Sequence, residues 1–316
     1  MKSFNSQLRS EYLLFSQSMK GGKGIRGSLV KLGYKIGGGK KNSEINKIGA
    51  AFEMLHSSLL IHDDVIDKSL MRRGRPTLYK ALGENHYALS QAICLGDMGF
   101  FQATKMIAAS KFDDRLKARV ISLFSEIVTD TITGEMLDVK LSRPNQEKRE
   151  KDVVVIHRLK TARYTIVGPL TIGAVLGGAH ALQIRAIKQF GEYIGMAFQI
   201  QDDILGVFGD EKEIGKSTTS DIEENKNTLL ITYALEKGTI LQRKILAKYY
   251  GTGKVTPSQH QAVKKVFVET GSLAYSQQKV EQYIDLGEKI IPSIARDKVM
   301  QKLLREFVEL VIERKK

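Results

Sequence analysis

Apolar residues along the chain recur mainly at three- and four-residue intervals, the spacing that gathers them on one face of an α-helix. Ile45, Ile48, Phe52, Leu55, Leu59 and Val65 form one such stripe; Val299, Leu303, Leu304, Phe307, Leu310 and Val311 form another. Ser43, just before Glu44, is placed to cap the first of these helices. Breaks fall at Gly37-Gly38-Gly39, Arg73-Gly74-Arg75-Pro76, Ser142-Arg143-Pro144-Asn145 and Gly251-Thr252-Gly253. Sustained strand alternation is scarce. Val153-Val154-Val155-Ile156 is β-prone, but it leads into a helical pattern and reads equally as a helix start. No linker, low-complexity tract or repeat divides the chain, so the expectation is an all-α, single-domain helical bundle over residues 1–316.

Composition narrows the class without choosing a function. The 316 residues are 42% hydrophobic and 27% charged, a globular balance that excludes wholesale disorder. The start, MKSFNSQLRSEYLLF, lacks a signal-peptide pattern. The weakly polar stretch from Ile166 to Ala179 holds Gly168, Pro169, Gly173, Gly177 and Gly178 and falls short of the roughly 20 apolar residues of a membrane span. The single cysteine, Cys94, excludes an intramolecular disulfide and a cysteine-based zinc site, and a cytoplasmic location is expected. A net charge of +14 favours an anionic partner: nucleic acid, lipid headgroups or a phosphorylated small molecule. Most of the lysines are expected to be solvated surface, so charge alone decides nothing.

The acids are more informative. In His62-Asp63-Asp64-Val65-Ile66-Asp67, Asp63 and Asp67 are four apart and leave the same helix face, with Asp64 beside them. Such a concentration of negative charge calls for lysines, solvent or a divalent ion. Oxygen-only ligation of this kind suits Mg²⁺, which binds one or two carboxylates, several waters and substrate phosphates. A lone acidic cluster reads as a solvated turn, but Phe198-Gln199-Ile200-Gln201-Asp202-Asp203 supplies a second one. A two-sided metal clamp on a diphosphate needs such a pair.

Cations surround the first cluster. Arg72, Arg73 and Arg75 follow it directly, and guanidinium forks match phosphate oxygens. Gly21-Gly22-Lys23-Gly24-Ile25-Arg26-Gly27 lets backbone and cations approach an anion closely. Gly215-Lys216-Ser217 resembles the end of a nucleotide-binding loop, but the spacing back to Gly209 is one residue too long and no buried strand precedes it. Glu53-Met54-Leu55-His56 has the spacing of a di-iron bundle motif, yet no second copy occurs. His56 is then either a helix-interior polar group or a diphosphate ligand.

These motifs, in this order, resemble the trans-isoprenyl diphosphate synthase (polyprenyl synthetase) family, from about Gly21 to about Leu230 and plausibly onward. The resemblance implies an isoprenoid-synthase-type bundle with a deep central cavity, normally a homodimer. It implies that Asp63, Asp67 and Asp202 bind Mg²⁺, with Asp64 and Asp203 in support and three ions per site. Arg72, Lys160 and Lys216 would hold the allylic diphosphate, with Lys226 nearby; Lys23, Arg26, His56 and Arg73 would hold isopentenyl diphosphate. Lys160-Thr161 and Gln199 would face the developing allylic cation. The implied reaction joins isopentenyl diphosphate to dimethylallyl, geranyl or farnesyl diphosphate.

Three departures from the family pattern stand out. Gly206 replaces the usual third acid of the second motif, with Asp210 nearby; the Lys23–Arg26 loop lacks a second basic residue and a proline; the segment before Gly21 is short. Product length in the family is set by the cavity floor below the first motif. Ser58 and Leu59 are not aromatic, so the C15 stop is absent, and Leu55, Met54, Phe52, Phe100 or Phe101 could close the floor near C20. Geranylgeranyl diphosphate is the expected product, with C25 or longer chains as the alternative. A basic nucleic-acid-binding protein leaves the paired acids unexplained. The intact aspartate and arginine motifs count against a non-catalytic subunit, and Lys23, Arg26, His56 and Arg73 against a terpene cyclase, which needs no isopentenyl site. Neither nucleic acid nor a transmembrane segment is expected.

Overall fold

The computed structural model describes residues 6–211 and 217–312, with side chains to residue 310. The described residues are overwhelmingly helical, as the periodicity predicts, and the only strands among them form one short hairpin. No helix among them is long and apolar enough to cross a membrane. The chain divides into two compact units, residues 1–124 with 172–178, and residues 125–171 with 179–316.

The first unit contains α1 (Arg9–Ser18), α2 (Ile25–Ile36), α3 (Glu44–Ile66), α4 (Leu78–Ala81) and α5 (His86–Ala108). The stripe on α3 behaves as its spacing requires: Ile45, Ile48, Phe52 and Leu55 are buried, while Leu59 and Val65 are half-buried. Phe15, Ile61, Leu78, Ala92 and Leu95 form one apolar cluster that ties α1, α3, α4 and α5 together. Each buried Phe, Ile or Leu among them contributes roughly 1.5–3 kcal/mol. Ser43 occupies the expected position before α3 but its side chain caps nothing; the Asn42 side-chain oxygen accepts the Glu44 N–H instead, at 2.9 Å. Ser43 is in a helical backbone conformation, whereas a capping side chain needs the extended one.

Between α3 and α4 lies the hairpin β1 (Met71–Arg72) and β2 (Arg75–Pro76), with Arg72 opposite Arg75. Its two-residue loop is Arg73-Gly74, at φ +53° and +70°. Two consecutive positive φ values match the right-handed twist of a tight hairpin, so the arginine cluster is set by turn chemistry as well as by charge.

In the second unit, α6 (Asp114–Leu141, from residue 125 onward) is followed by α7 (Glu150–Ile156), so the β-prone valines begin a helix. α7 passes directly into a π-helix, His157–Val167. α8 (Gly168–Gly177) follows, its residues from Ile172 onward counting with the first unit, then the 28-residue α9 (Ala181–Phe208). α10 (Ser220–Glu223), α11 (Leu229–Lys237), α12 (Ile240–Tyr249), α13 (Pro257–Glu269), α14 (Ser272–Ile294) and α15 (Lys298–Ile312) complete the chain. Val207, Ile222, Leu230, Leu246 and Phe267 belong to one core cluster that joins α9 to α10–α13. On α15 the buried side chains are Gln301, Leu304 and Val308, whereas Val299, Leu303 and Leu310 are exposed. The predicted stripe there was therefore wider than the face that packs.

Candidate active site

The first acidic cluster sits at the C-terminal end of α3. The helix closes there with the Asp67 N–H on the Asp63 carbonyl (2.8 Å), the Ser69 N–H on the Asp64 carbonyl (2.9 Å), and Lys68 in the left-handed region at φ +54°. Three carboxylates at the negative end of a helix dipole repel both one another and the dipole, which favours a cation beside them. His62 locks this end against α5. Its Nε2 lies 3.1 Å from the Ile93 carbonyl, above Gly96, where an added Cβ would come within 2.3 Å of the ring.

Arg72 reaches back from the hairpin and holds two of the three acids. Its Nε donates to Asp64 Oδ1 at 2.6 Å and its Nη2 to Asp63 Oδ2 at 2.8 Å. Asp64 is buried, and burial pushes its carboxyl up to about 6; Arg72 opposes this, while Asp63 and Asp67 push further in the same direction. One guanidinium is thus shared between two of the three acids.

The cations expected on the second diphosphate gather in the same unit. Arg73 Nη2 lies 3.2 Å from His56 Nε2, and its guanidinium stands over Gly22, 3.4 Å from where a Cβ would be. Burial, then Arg72 and Arg26, push Arg73 below its ordinary value. Arg26 is buried in the first turn of α2, while Lys23 is exposed just before it. Glu53, the first member of the apparent di-iron spacing, accepts the Gly27 N–H at 2.8 Å and so fixes the start of α2. That bond spans 26 residues, and no local pattern announces it.

The expected floor residues are scattered. Leu55 and Ser58 are fully buried, Leu59 and Phe100 are half-buried, and Phe100 lies edge-on to His62 with ring centroids 5.2 Å apart. Ser58 is wedged in the seam between α3 and α5: an added Cβ on Gly99 would fall 1.9 Å from its Oγ and 3.2 Å from Phe15. Phe101 is 77% exposed and cannot line a buried floor. Adjacent helical residues project about 100° apart, so Phe100 and Phe101 cannot share one face.

In the second unit Lys160 carries the densest ion pairing. Its Nζ is 2.8 Å from both Glu135 and Asp138. Lys226 shares Asp138 at 3.4 Å and approaches Glu224 at 3.3 Å. Asp138 is buried, which alone would raise its carboxyl, but Lys160 and Lys226 outweigh burial and hold it at about 2. The turn that carries Lys226 is strapped down: Lys148 Nζ donates to the Asn225 carbonyl at 2.8 Å, and Asn225 Nδ2 donates to the Ser142 carbonyl at 2.7 Å. Burial pushes Lys148 down to about 8, with Asp138 opposing. Glu135, Asp138 and Lys148 were not singled out from the sequence; the Glu-x-x-Asp spacing on α6 was the one local signal available.

The second cluster is unlike the first. Asp202 is half-buried, and Asp203 is buried with its Oδ1 accepting from Gln199 Nε2 at 2.8 Å. Thr161 Oγ1 donates to Gln199 Oε1 at 2.7 Å, which brings these two side chains together. A Cβ on Gly206 would lie 2.5 Å from an Asp221 side-chain oxygen, so the Asp221 carboxylate takes the space that a third acid on α9 would need. Asp210 is exposed beyond the end of α9. Lys216 lies outside the described residues. Among the described residues no three acidic, histidine or cysteine side chains converge as a ready-made metal cage.

The comparisons with known proteins agree with this picture. The polyprenyl synthetase family model matches residues 11–269. The geranylgeranyl diphosphate synthase of Sulfolobus acidocaldarius is 28% identical over 97% of this chain and 90% of its own length. The geranylfarnesyl diphosphate synthase of Aeropyrum pernix is 30% identical over 94% and 91%. The crystal structure of the geranylgeranyl pyrophosphate synthase of Corynebacterium glutamicum, complexed with isoprenyl diphosphate and magnesium, superimposes with a TM-score of 0.93 over 98% of this chain and 92% of that one, at 28% identity. This chain therefore belongs to the polyprenyl synthetase family and is an all-α prenyltransferase.

Proposed function

We propose that the enzyme joins isopentenyl diphosphate head-to-tail to an allylic diphosphate, and that its product is geranylgeranyl diphosphate. The observation that carries this reading is the Arg72–Asp63–Asp64 constellation, three carboxylates gathered around one guanidinium, in the same unit as a second group formed by Arg73, Arg26 and His56. One group suits a metal-bridged diphosphate and the other a diphosphate held directly. The names of the relatives from Sulfolobus acidocaldarius and Corynebacterium glutamicum support the C20 product; that from Aeropyrum pernix keeps a longer one as the alternative.

The donor set fits a hard divalent cation. It is all oxygen, with Asp64 pushed up to about 6 by burial and, less strongly, by the neighbouring Asp63 and Asp67 carboxylates that a cation would offset. Asp63, Asp67 and Asp202 would hold Mg²⁺, with Asp221 supplying the carboxylate that Gly206 lacks; the family resemblance implies three ions. When bound, the metal neutralises the departing diphosphate. The chain's own groups do the rest. Lys160, Lys226 and Lys216 bind the allylic diphosphate, and Arg73, Arg26, His56 and Lys23 orient isopentenyl diphosphate. The allylic C–O bond breaks with its electron pair leaving on the diphosphate, and Thr161 and Gln199 face the allylic cation. The isopentenyl double bond then forms the new C–C bond, and a proton is lost to the diphosphate.

The test is incubation with isopentenyl diphosphate, each allylic primer in turn and Mg²⁺, with product length read by mass spectrometry. No elongation of any primer sinks the proposal. The same assay examines the floor. Ser58→Phe would force the α3–α5 seam apart at Gly99, so it is expected to cost about 1–3 kcal/mol of stability before it alters product length. Leu59→Phe, at a half-buried position, is expected to shorten the product with little loss in Tm. Unchanged product from Leu59→Phe removes that residue from the floor.

We also propose a homodimer. Ile93 and Phe101, two turns apart on α5, are exposed large apolar side chains suited to burial against a second copy. Sedimentation equilibrium is expected to give twice the chain mass, and Phe101→Glu to give the monomer.

A further inference from the structure

We propose that His157 is a positioning residue for prenyl transfer, holding the buried Asp203 carboxylate and through it the orientation of the Gln199–Thr161 pair. The inference rests on the reading of the site given above.

His157 is the first residue of the π-helix and Thr161 lies four residues on; Gln199 and Asp203 have the same spacing on α9. The two pairs meet in reversed order, Thr161 on Gln199 and His157 on Asp203, so the two helices run antiparallel here. Further along, Ala162 meets Gly195 and Val167 meets Gly191. A Cβ on Gly195 would lie 2.5 Å from that of Ala162, and one on Gly191 would lie 3.0 Å from the Val167 Cα. Backbones this close press the neighbouring turns into contact, and His157 and Asp203 are both buried there, at 4% and 7% exposure. Extended π-helical stretches are rare and gather at functional sites.

The donor and acceptor roles follow from chemistry. An ionised carboxylate only accepts, so Gln199 turns its NH₂ towards Asp203 Oδ1 and leaves its own oxygen for the Thr161 hydroxyl. That arrangement lasts only while Asp203 stays in place. Its Oδ2 makes no well-aligned hydrogen bond among the described residues; His157 Nε2 lies 3.0 Å away, off the line that a hydrogen bond requires. Without the imidazole, that half of a buried carboxylate would lose the polar nitrogen beside it. It would then rotate, and the Gln199 amide would be free to flip. A flipped amide reverses the dipole beside the allylic carbon, which affects ionisation and leaves isopentenyl binding alone. No pattern in the sequence marks His157, because its partner is 46 positions away.

The experiment compares His157→Met, which keeps bulk but removes the polar nitrogen, with His157→Gln, which keeps an N–H donor at the end of the side chain. His157→Met is expected to lower kcat about 10- to 100-fold, below the roughly 100- to 1000-fold seen when a preorganised donor that touches the reacting group is lost, because His157 acts through Asp203. KM for isopentenyl diphosphate is expected to stay within about twofold, as for an interaction made only in the transition state. His157→Gln restores most of kcat at the same Tm. Asp203→Asn/His157→Met is expected to be no slower than Asp203→Asn alone, since His157 acts through Asp203. Wild-type kcat in His157→Met, equal losses in the Met and Gln variants, or an additive double variant each overturns the proposal. Failure of the wild-type enzyme to elongate any primer overturns instead the reading on which it rests.

Discussion

Asp63→Asn is expected to lower kcat by about 10³-fold, the upper range for loss of one electrostatic element of a transition-state site. The substitution acts twice. It removes a carboxylate that would hold metal, and it removes one of the two acids that hold Arg72, at 2.8 Å. Asp64 keeps its bond to Arg72 Nε at 2.6 Å, so the hairpin is expected to stay folded and the circular dichroism spectrum unchanged. Raising Mg²⁺ recovers part of the loss if the weakened step is metal binding. Steady-state rates across a Mg²⁺ series check this, and a near-wild-type rate would remove Asp63 from the mechanism.

The second large effect is expected at Asp138. This carboxylate is 5% exposed and lies between Lys160 and Lys226, at 2.8 and 3.4 Å. Asp138→Asn removes the charge that both ammonium groups share. Breaking a buried pair from one side costs about 3–5 kcal/mol in general, and Glu135 and Glu224 retain part of the pairing, so about 2–3 kcal/mol is expected. Activity falls as well, because Lys160 and Lys226 lose the anchor that aims them.

The pH dependence separates this account from a simple packing defect. The folded carboxyl titrates at about 2, below the ordinary 3.8 that applies when the chain unfolds. Its stabilising contribution is therefore fully present above pH 4 and is lost as pH falls through 2. The stability gap between wild type and Asp138→Asn is expected to close across that window by about 2 kcal/mol, as 1.36 kcal/mol per pKa unit implies. A gap of constant size, followed by denaturant unfolding from pH 5 to pH 2, would mean that Asp138 is not the buried anion described.

Much of the site was legible because its signals are local. Asp63, Asp64 and Asp67 share one helix end, and Arg72 and Arg73 follow within ten residues. What could not be read was which acids are already occupied. Ser58 was taken as open floor, but Gly99 on another helix shuts it into a seam. Phe101 was grouped with Phe100 although the helix turns them to different faces, and Phe101 is exposed. Whether Asp210 makes up for Gly206 was left open by the sequence; Asp221 is the acid that stands against Gly206.

Sequence by itself determined the all-α class, the acidic clusters, the arginine group that follows the first of them, and the family. Each of these follows from residue type and spacing within a turn or two, where backbone geometry dictates direction. Only the tertiary structure decided how the charges are shared: Asp138 with Lys160 and Lys226, 22 and 88 residues away, Glu53 with the start of α2, and His157 with Asp203. Those pairings depend on which helices pack together and how closely. The cost of burying a charge without a partner then selects among all the acids and bases in the chain those that must meet.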